Sequence, residues 1–472
     1  MSRVRASWSA TLAGFVALAA IPCVGIQHGE HVTARKLLQG GRLDEAERLI
    51  LSSAVHSTDA GLLALQGEIR FRRADFDGAA AAFRAAIRVD ERCARAYWGL
   101  GRLELIQFHR NNARSLMSRA YGLDPRDPDI IRSYTEFATD PKSRETLLKN
   151  AIALTVNEDR QAAAASLNQL VMEKRLNGSP HGRLASGYRP YTVALKAYQP
   201  HGLIPAGLLT PVSINGGKIL WLVLDSGASG IVINPKAAKR LDLDIVSETQ
   251  ITGLGGGAVG GAMGVAHTVR VGEHFQLENC AVEVLSGTFA EGADGVIGMD
   301  AFEAFQIRLD ARSRTLELTP FESGPPEVGT GRWIGYDRTE NSDQPSHAYG
   351  FRHFLLLRAR VQGGKAGLFL VDTGSAVTSV ARGTSGPPMG VASAMLLNGA
   401  TGAVEGIFRI SPLVLEVAGR TVGERDPVSM DLDEISRRQG VQISGILGYS
   451  VLRQSTVTIN YRDGLVALGP RP

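Results

Sequence analysis

Two short stretches of this chain drive apolar residues straight into an aspartate, a hydroxyl residue and a glycine. The first is LVLDSGASGIVI, Leu222 to Ile233, and the second is LFLVDTGSAVTSV, Leu368 to Val380. A carboxylate at the end of a buried strand is costly unless something uses it. One Asp-Ser-Gly alone means little, because ordinary composition produces such triplets by chance. The second copy changes the weight. Asp225 and Asp372 stand 147 residues apart (372 − 225), and each follows a turn and an apolar run: SINGGKILWLVLD before one, RVQGGKAGLFLVD before the other. Two carboxylates brought close together cannot both ionise readily, so they hold one proton between them. One then serves as a base on water while the other donates a hydrogen bond.

The surrounding elements repeat as well. Val296-Ile297-Gly298 and Ile446-Leu447-Gly448 are 150 residues apart (448 − 298). Downstream, Phe302 matches Leu452, Ile307 matches Val457, Leu309 matches Ile459, and Leu316 and Leu318 match Val466 and Leu468. Both copies read as a glycine turn, a short helix, then strand, turn and strand. Two homologous, mainly-β lobes follow from this duplication. Asn234-Pro235 is a good N-cap and first-turn pair, and predicts a short helix through Leu241.

From about 200 to 470 the chain resembles the aspartic proteases, specifically the retropepsin-like family in a single-chain, two-lobed arrangement like that of pepsin. The resemblance implies that Asp225 and Asp372 are the catalytic pair. The hydroxyls of Ser226 and Thr373 would fix them, and Gly227 and Gly374 would let the backbone approach where a side chain clashes. Ile297-Gly298 and Leu447-Gly448 would pass behind the catalytic loops and brace them. The glycine-rich stretch ITGLGGGAVGGAMG, with Gly253, Gly255, Gly256 and Gly257, falls where the family has its flap. LNGATGAVEG, with Asn398 and Gly399, falls where a second flap would be. Two flaps suit the retropepsin plan. There are departures: the first flap has no tyrosine, the first triplet is DSG, and the lobes are short. The substrate implied is a peptide or an unfolded protein.

Other chemistries find less support. Gly255, Gly257 and Gly260 spell G-x-G-x-x-G, but a dinucleotide fingerprint needs a helix next. AHTVRVG follows and alternates like a strand. His267, His274, His347 and His353 lack ligand-type spacing, and no G-x-S-x-G or H-E-x-x-H is present. No metal and no cofactor is expected. A net charge of +4 on 472 residues, with no basic run interleaved with aromatics, gives no footprint for nucleic acid. Cys23, Cys93 and Cys280 form no framework.

The first half of the chain is different in kind. Arg3 and Arg5 precede the apolar segment Trp8 to Ile26, with Ala17-Leu18-Ala19 as a small-x-small site. This pattern predicts a signal peptide or N-terminal anchor over 1–27, and hence export: periplasmic, secreted, or tethered if uncleaved. A buried helix of the first domain is the alternative. Gly67 and Gly101 are 34 residues apart, Ala79 and Ala113 each follow twelve residues later, and Ala46 lies 33 before Ala79. With Phe76, Phe83, Ala86, Met117, Ala120 and Pro125 around them, these positions resemble tetratricopeptide (TPR) repeats over 30–156. Such an array implies a surface for a protein partner, or else a spacer.

The expected organisation is multidomain: all-α TPR-like repeats at 30–156, a linker at 157–200, one acid-protease lobe at 201–320, an inter-lobe linker at 321–350 and a second lobe at 351–472. The two lobes would form a pseudo-dimer within the chain, although pairing between chains would also unite two aspartates. Two functions of different class follow. One is an aspartic endopeptidase whose helical repeats recruit substrate or partner. The other is a catalytically silent peptide-binding scaffold.

Overall fold

The computed structural model describes the chain outside residues 1–23, 55–58, 157–159, 177–181, 201, 203, 242, 253–257, 287–289, 323–345, 352, 385–389, 392–397, 400–401, 404–405 and 470–472. Most of the expected leader therefore lies outside the described residues. Among those described, no helix is long and apolar enough to cross a membrane.

The chain begins with antiparallel helices: α1 (Val24–Gln39), α2 (Leu43–Ala54), α3 (Ala60–Arg72), α4 (Phe76–Val89), α5 (Ala94–Ile106), α6 (Arg110–Leu123), α7 (Pro128–Thr135), α8 (Pro141–Thr155) and α9 (Arg160–Leu176). Aspartates start several of them. Asp59, Asp75 and Asp140 accept the backbone N–H of Leu62, Gly78 and Ser143, and Asp127 caps α7 ahead of Pro128. The turn inside each of the first three helix pairs carries one left-handed residue: Gly41, Ala74 and Phe108, spaced 33 and 34 apart. The repeat is thus written in the backbone too. Ala46, Ala79 and Ala113 are all 0% exposed, and a Cβ on Gly67 would lie 2.6 Å from the Phe83 ring. Small residues at these positions let paired helices close.

Among the described residues, the linker expected at 157–200 holds a helix and three short strands. Helix α9 extends the array, and strands Arg183–Leu184, Tyr191–Ala194 and Lys196–Tyr198 join the sheets of the first lobe. One side of this helix packs on α8, and the other meets a sheet where the array would otherwise continue with another helix. Its Met172 meets Met263 and Val265 on strand Ala258–Val271 and Val246 on Asp244–Thr252. Arg175 pairs with Asp244 on the same hairpin. The end of the inter-lobe segment is likewise ordered, as strands Ser346–His347 and Tyr349–Phe351. The helix predicted after Asn234 is α10 (Pro235–Ala238), capped by Asn234 and stopping short of Leu241.

Each lobe is built on one large sheet, with nine strands in the first and ten in the second among the described residues. A six-stranded sheet joins them, three strands from each: Tyr191–Ala194, Thr315–Pro320 and Phe305–Asp310, then Thr456–Asn460, Leu465–Leu468 and Ser346–His347. At its centre Ile307 faces Ile459, Leu309 faces Val457 and Arg308 faces Thr458. With the 150-residue offset, the first two pairs exchange and the third maps onto itself. A pseudo-twofold axis therefore crosses the sheet at Arg308 and Thr458, as in an isologous dimer.

The helical array is not a separate bead. Phe71, Phe76, Phe83, Leu103 and Ile106 share one core with Phe351, Leu356, Leu368, Leu370, Met430 and Ile446 of the second lobe. The Phe76 ring lies tilted against Tyr349 with centroids 4.7 Å apart, and Arg358 donates to the Ala74 carbonyl at 3.1 Å. Gln442 N–H donates to the Arg72 carbonyl at 2.6 Å. The array touches the second lobe through α3 to α5 and the first lobe through α9.

Candidate active site

Each aspartate is set by a strand that ends under pressure from its neighbours. Strand Leu220–Asp225 runs beside Gly295–Gly298, parallel, with Gly298 opposite Asp225. On its other edge Gly295–Gly298 pairs antiparallel with Ile231–Ile233. The strand leaving the aspartate is therefore returned to flank the strand behind it. The second lobe repeats this: Gly445–Leu447 runs parallel to Ala366–Val371 and antiparallel to Ser379–Ala381. The Leu447 carbonyl accepts the Asp372 N–H at 3.1 Å. Glycine is required at the turn after each brace. A Cβ on Gly298 would come within 2.6 Å of the Ala228 carbonyl, and one on Gly448 would strike the Val377 carbonyl.

The two loops interlock across the lobe boundary. Ser226 Oγ donates to the Val371 carbonyl at 2.8 Å, and Thr373 Oγ1 donates to the Leu224 carbonyl at 2.9 Å. Each hydroxyl also accepts the other's backbone N–H: Ser226 N–H to Thr373 Oγ1 at 3.0 Å, Thr373 N–H to Ser226 Oγ at 3.1 Å. Four bonds thus form a closed, twofold-symmetric set, with Ser226 and Thr373 only 1% and 2% exposed. The glycines complete the contact. A Cβ on Gly227 would lie 2.7 Å from the Asp372 carboxyl carbon, and one on Gly374 would overlap that of Asp225. Each lobe's glycine makes room for the other lobe's acid.

The carboxyls face each other, and their environments differ. Burial, then the facing Asp372, hold Asp225 well above the usual carboxylate range. Burial also raises Asp372, but a hydrogen bond from Asp225 and the N–H groups of Ser375 and Gly374 oppose the rise. Asp372 Oδ1 accepts Gly374 N–H at 2.9 Å and Ser375 N–H at 3.0 Å, while Asp225 Oδ1 accepts Gly227 N–H at 2.6 Å. Both carboxyls are thus held above their ordinary range, Asp225 further than Asp372, which favours one proton held by the pair.

Of the expected site residues, the structure brings together Asp225, Asp372, Ser226, Thr373, Gly227, Gly374, Ile297, Gly298, Leu447 and Gly448. Gly253, Gly255, Gly256 and Gly257 lie outside the described residues. Asn398–Gly399 pairs with Gly402–Ala403 in a two-stranded hairpin of its own. Sequence reading passed over Asp300, whose carboxylate accepts Ser229 Oγ at 2.6 Å and Gly230 N–H at 3.0 Å. Its place two residues after the bracing Gly298 was the available signal.

Residues 210–301 match the model of the family described as aspartyl protease. Among solved structures, the aspartic proteinase from Irpex lacteus aligns over 97% of its own chain and 60% of this one, at 12% sequence identity and a TM-score of 0.37. No curated protein matches the chain. The first lobe thus contains a segment similar to the aspartyl protease family, and the second lobe repeats the strand construction of the first behind a helical array.

Proposed function

We propose that this chain is an aspartic endopeptidase acting on peptides or unfolded protein, with Asp225 and Asp372 as its catalytic residues. The observation that carries the reading is the reciprocal contact of the two triplets, in which each glycine gives space to the opposite aspartate. In the reaction, Asp372 takes a proton from a water placed between the carboxyls. The water oxygen attacks the peptide carbonyl carbon while Asp225 gives its hydrogen bond to the carbonyl oxygen. The tetrahedral species then collapses, the C–N bond breaks, and the departing nitrogen receives a proton from the pair.

The chemistry needs one carboxyl ionised and one protonated, so kcat/KM is expected to be bell-shaped in pH with its maximum on the acid side. The direct test is digestion of an unbiased peptide library by the wild-type chain beside Asp225→Asn and Asp372→Asn. Wild type should cut, and each substitution should reduce cutting to background while near-UV circular dichroism is unchanged. Cleavage surviving either substitution would refute the pair. Retention of extended peptides with no cleavage at any pH would establish the scaffold reading in its place. Recruitment of a partner by the helical array, if it occurs, would use surfaces other than those packed on the second lobe.

A further inference from the structure

The two halves of the site are not braced alike. In the first lobe Asp300 touches the loop after Asp225 directly, through Ser229 Oγ and Gly230 N–H. The 150-residue offset places Ser450 at the corresponding position of the second lobe, in helix α12 (Tyr449–Leu452), which follows α11 (Asp433–Gln439). Serine brings no charge. Its hydroxyl instead donates to the carboxylate of Glu424, on strand Arg420–Glu424, a residue only 5% exposed. Glu424 also accepts the Asp426 N–H at 3.2 Å.

From there the bonds run toward the catalytic loop. Ser450 Oγ accepts Thr378 N–H at 3.1 Å and lies 3.4 Å from Thr378 Oγ1, which accepts Gly448 N–H at 3.1 Å. Because the carboxylate takes the Ser450 proton, the serine's lone pairs are left to receive Thr378. The Thr378 hydroxyl then points its own proton at Ser450 and turns a lone pair to Gly448. The start of α12 holds the same loop from the other side: Tyr449 N–H donates to the Ser375 carbonyl at 2.7 Å and Ser450 N–H to the Ala376 carbonyl at 3.2 Å. Ser375 is the residue whose N–H reaches Asp372 at 3.0 Å.

We propose that Glu424 and Ser450 are positioning residues for Asp372: the buried carboxylate orders the hydroxyls of Ser450 and Thr378, and this fixes the loop that presents the Ser375 N–H to the catalytic acid. The inference rests on the endopeptidase reading for its kinetic consequence and on geometry alone for its structural one. Among the described residues Asp225 is the ionisable group that faces Asp372, the other partners being the backbone N–H groups of Gly374 and Ser375. A loosened Ser375 N–H withdraws support from the ionised form, so the acid limb of kcat/KM moves to higher pH. The loop after Asp225 keeps its own brace on Asp300, through Ser229 and Gly230.

The experiment uses the full chain with Glu424→Ala, Ser450→Ala and the closer mimic Glu424→Gln, and reads two quantities. The first is amide exchange, which needs no activity. Glu424→Ala and Ser450→Ala should each speed exchange over residues 375–378 by about tenfold or more, and leave residues 226–230 unchanged. Glu424→Gln, which keeps an acceptor, should recover most of the protection. Equal acceleration in both loops, or none in 375–378, would overturn the proposal. The second is the pH profile on a denatured protein substrate, where the Ala variants should raise the acid limb by roughly half a unit to one unit and lower kcat more than they raise KM. Unmoved limbs in an active enzyme would also overturn it. An inactive wild type would count against the endopeptidase reading, and the exchange measurement would still decide the brace.

Discussion

Burial and the facing Asp372 hold the Asp225 carboxyl above the ordinary carboxylate range. Its proton stays on in the folded chain at pH values where the unfolded chain has already released it. Stability therefore falls as pH rises from the ordinary carboxylate range through the folded-state value. Replacing Asp225 by the neutral, isosteric Asn removes that loss. Asp225→Asn should raise the thermal midpoint by roughly a few degrees at neutral pH, and the gain should vanish at a pH below the ordinary carboxylate range. A midpoint unchanged or lowered at neutral pH would show that burial of the acid carries no such cost. At the same scale, Gly374→Ala should abolish activity, because its methyl group would occupy the place of the Asp225 carboxyl. Retained turnover in that variant would mean that the loops sit further apart.

At the scale of elements, the duplication is what made the site legible. The triplets and bracing glycines repeat because strand, returning strand and brace are paired in the same way in both lobes. The Ser226–Thr373 bonds follow from the same triplets once the lobes are paired. The brace built on Glu424 left no mark, since its carboxylate comes from a strand with no counterpart in the spacing pattern and acts through a serine that reads as neutral filler. Residues 183–198 look like a connector in the sequence because their strands are two to four residues long, too short to display alternation. The interlock itself is testable. Thr373→Val keeps the shape and removes one donor and one acceptor, leaving Ser226 N–H and the Leu224 carbonyl without that partner. It should cost about 1–3 kcal/mol in urea unfolding, and Ser226→Ala should cost a similar amount by symmetry. A loss confined to one of the two would contradict the closed arrangement.

For the whole molecule, the helical array and the second lobe behave as one hydrophobic unit. Phe71 is 1% exposed, and its ring meets Phe76 at 5.5 Å and Phe351 of the lobe at 6.2 Å. No local period in the sequence announces such an interface, because each partner looks like an ordinary core residue of its own domain. Phe71→Ala should destabilise the chain by about 3–5 kcal/mol, and proteolysis should show the second lobe, rather than the first, becoming accessible. Expression of 183–472 alone should give a lobe pair that binds a hydrophobic dye, with Leu356, Leu368, Leu370 and Ile446 uncovered. An equally stable, dye-silent lobe pair would show that the array is a separable appendage.

The claim on which all of this turns is that two acids, one from each duplicated lobe, share a single proton at one site. A 13C NMR titration of aspartate-labelled protein, with the two signals assigned by Asp225→Asn and Asp372→Asn, measures it directly. The account predicts two coupled steps, with Asp372 ionising first and Asp225 retaining its proton well above the ordinary carboxylate range. Two independent titrations, each in that ordinary range and each indifferent to substitution of the other residue, would contradict it.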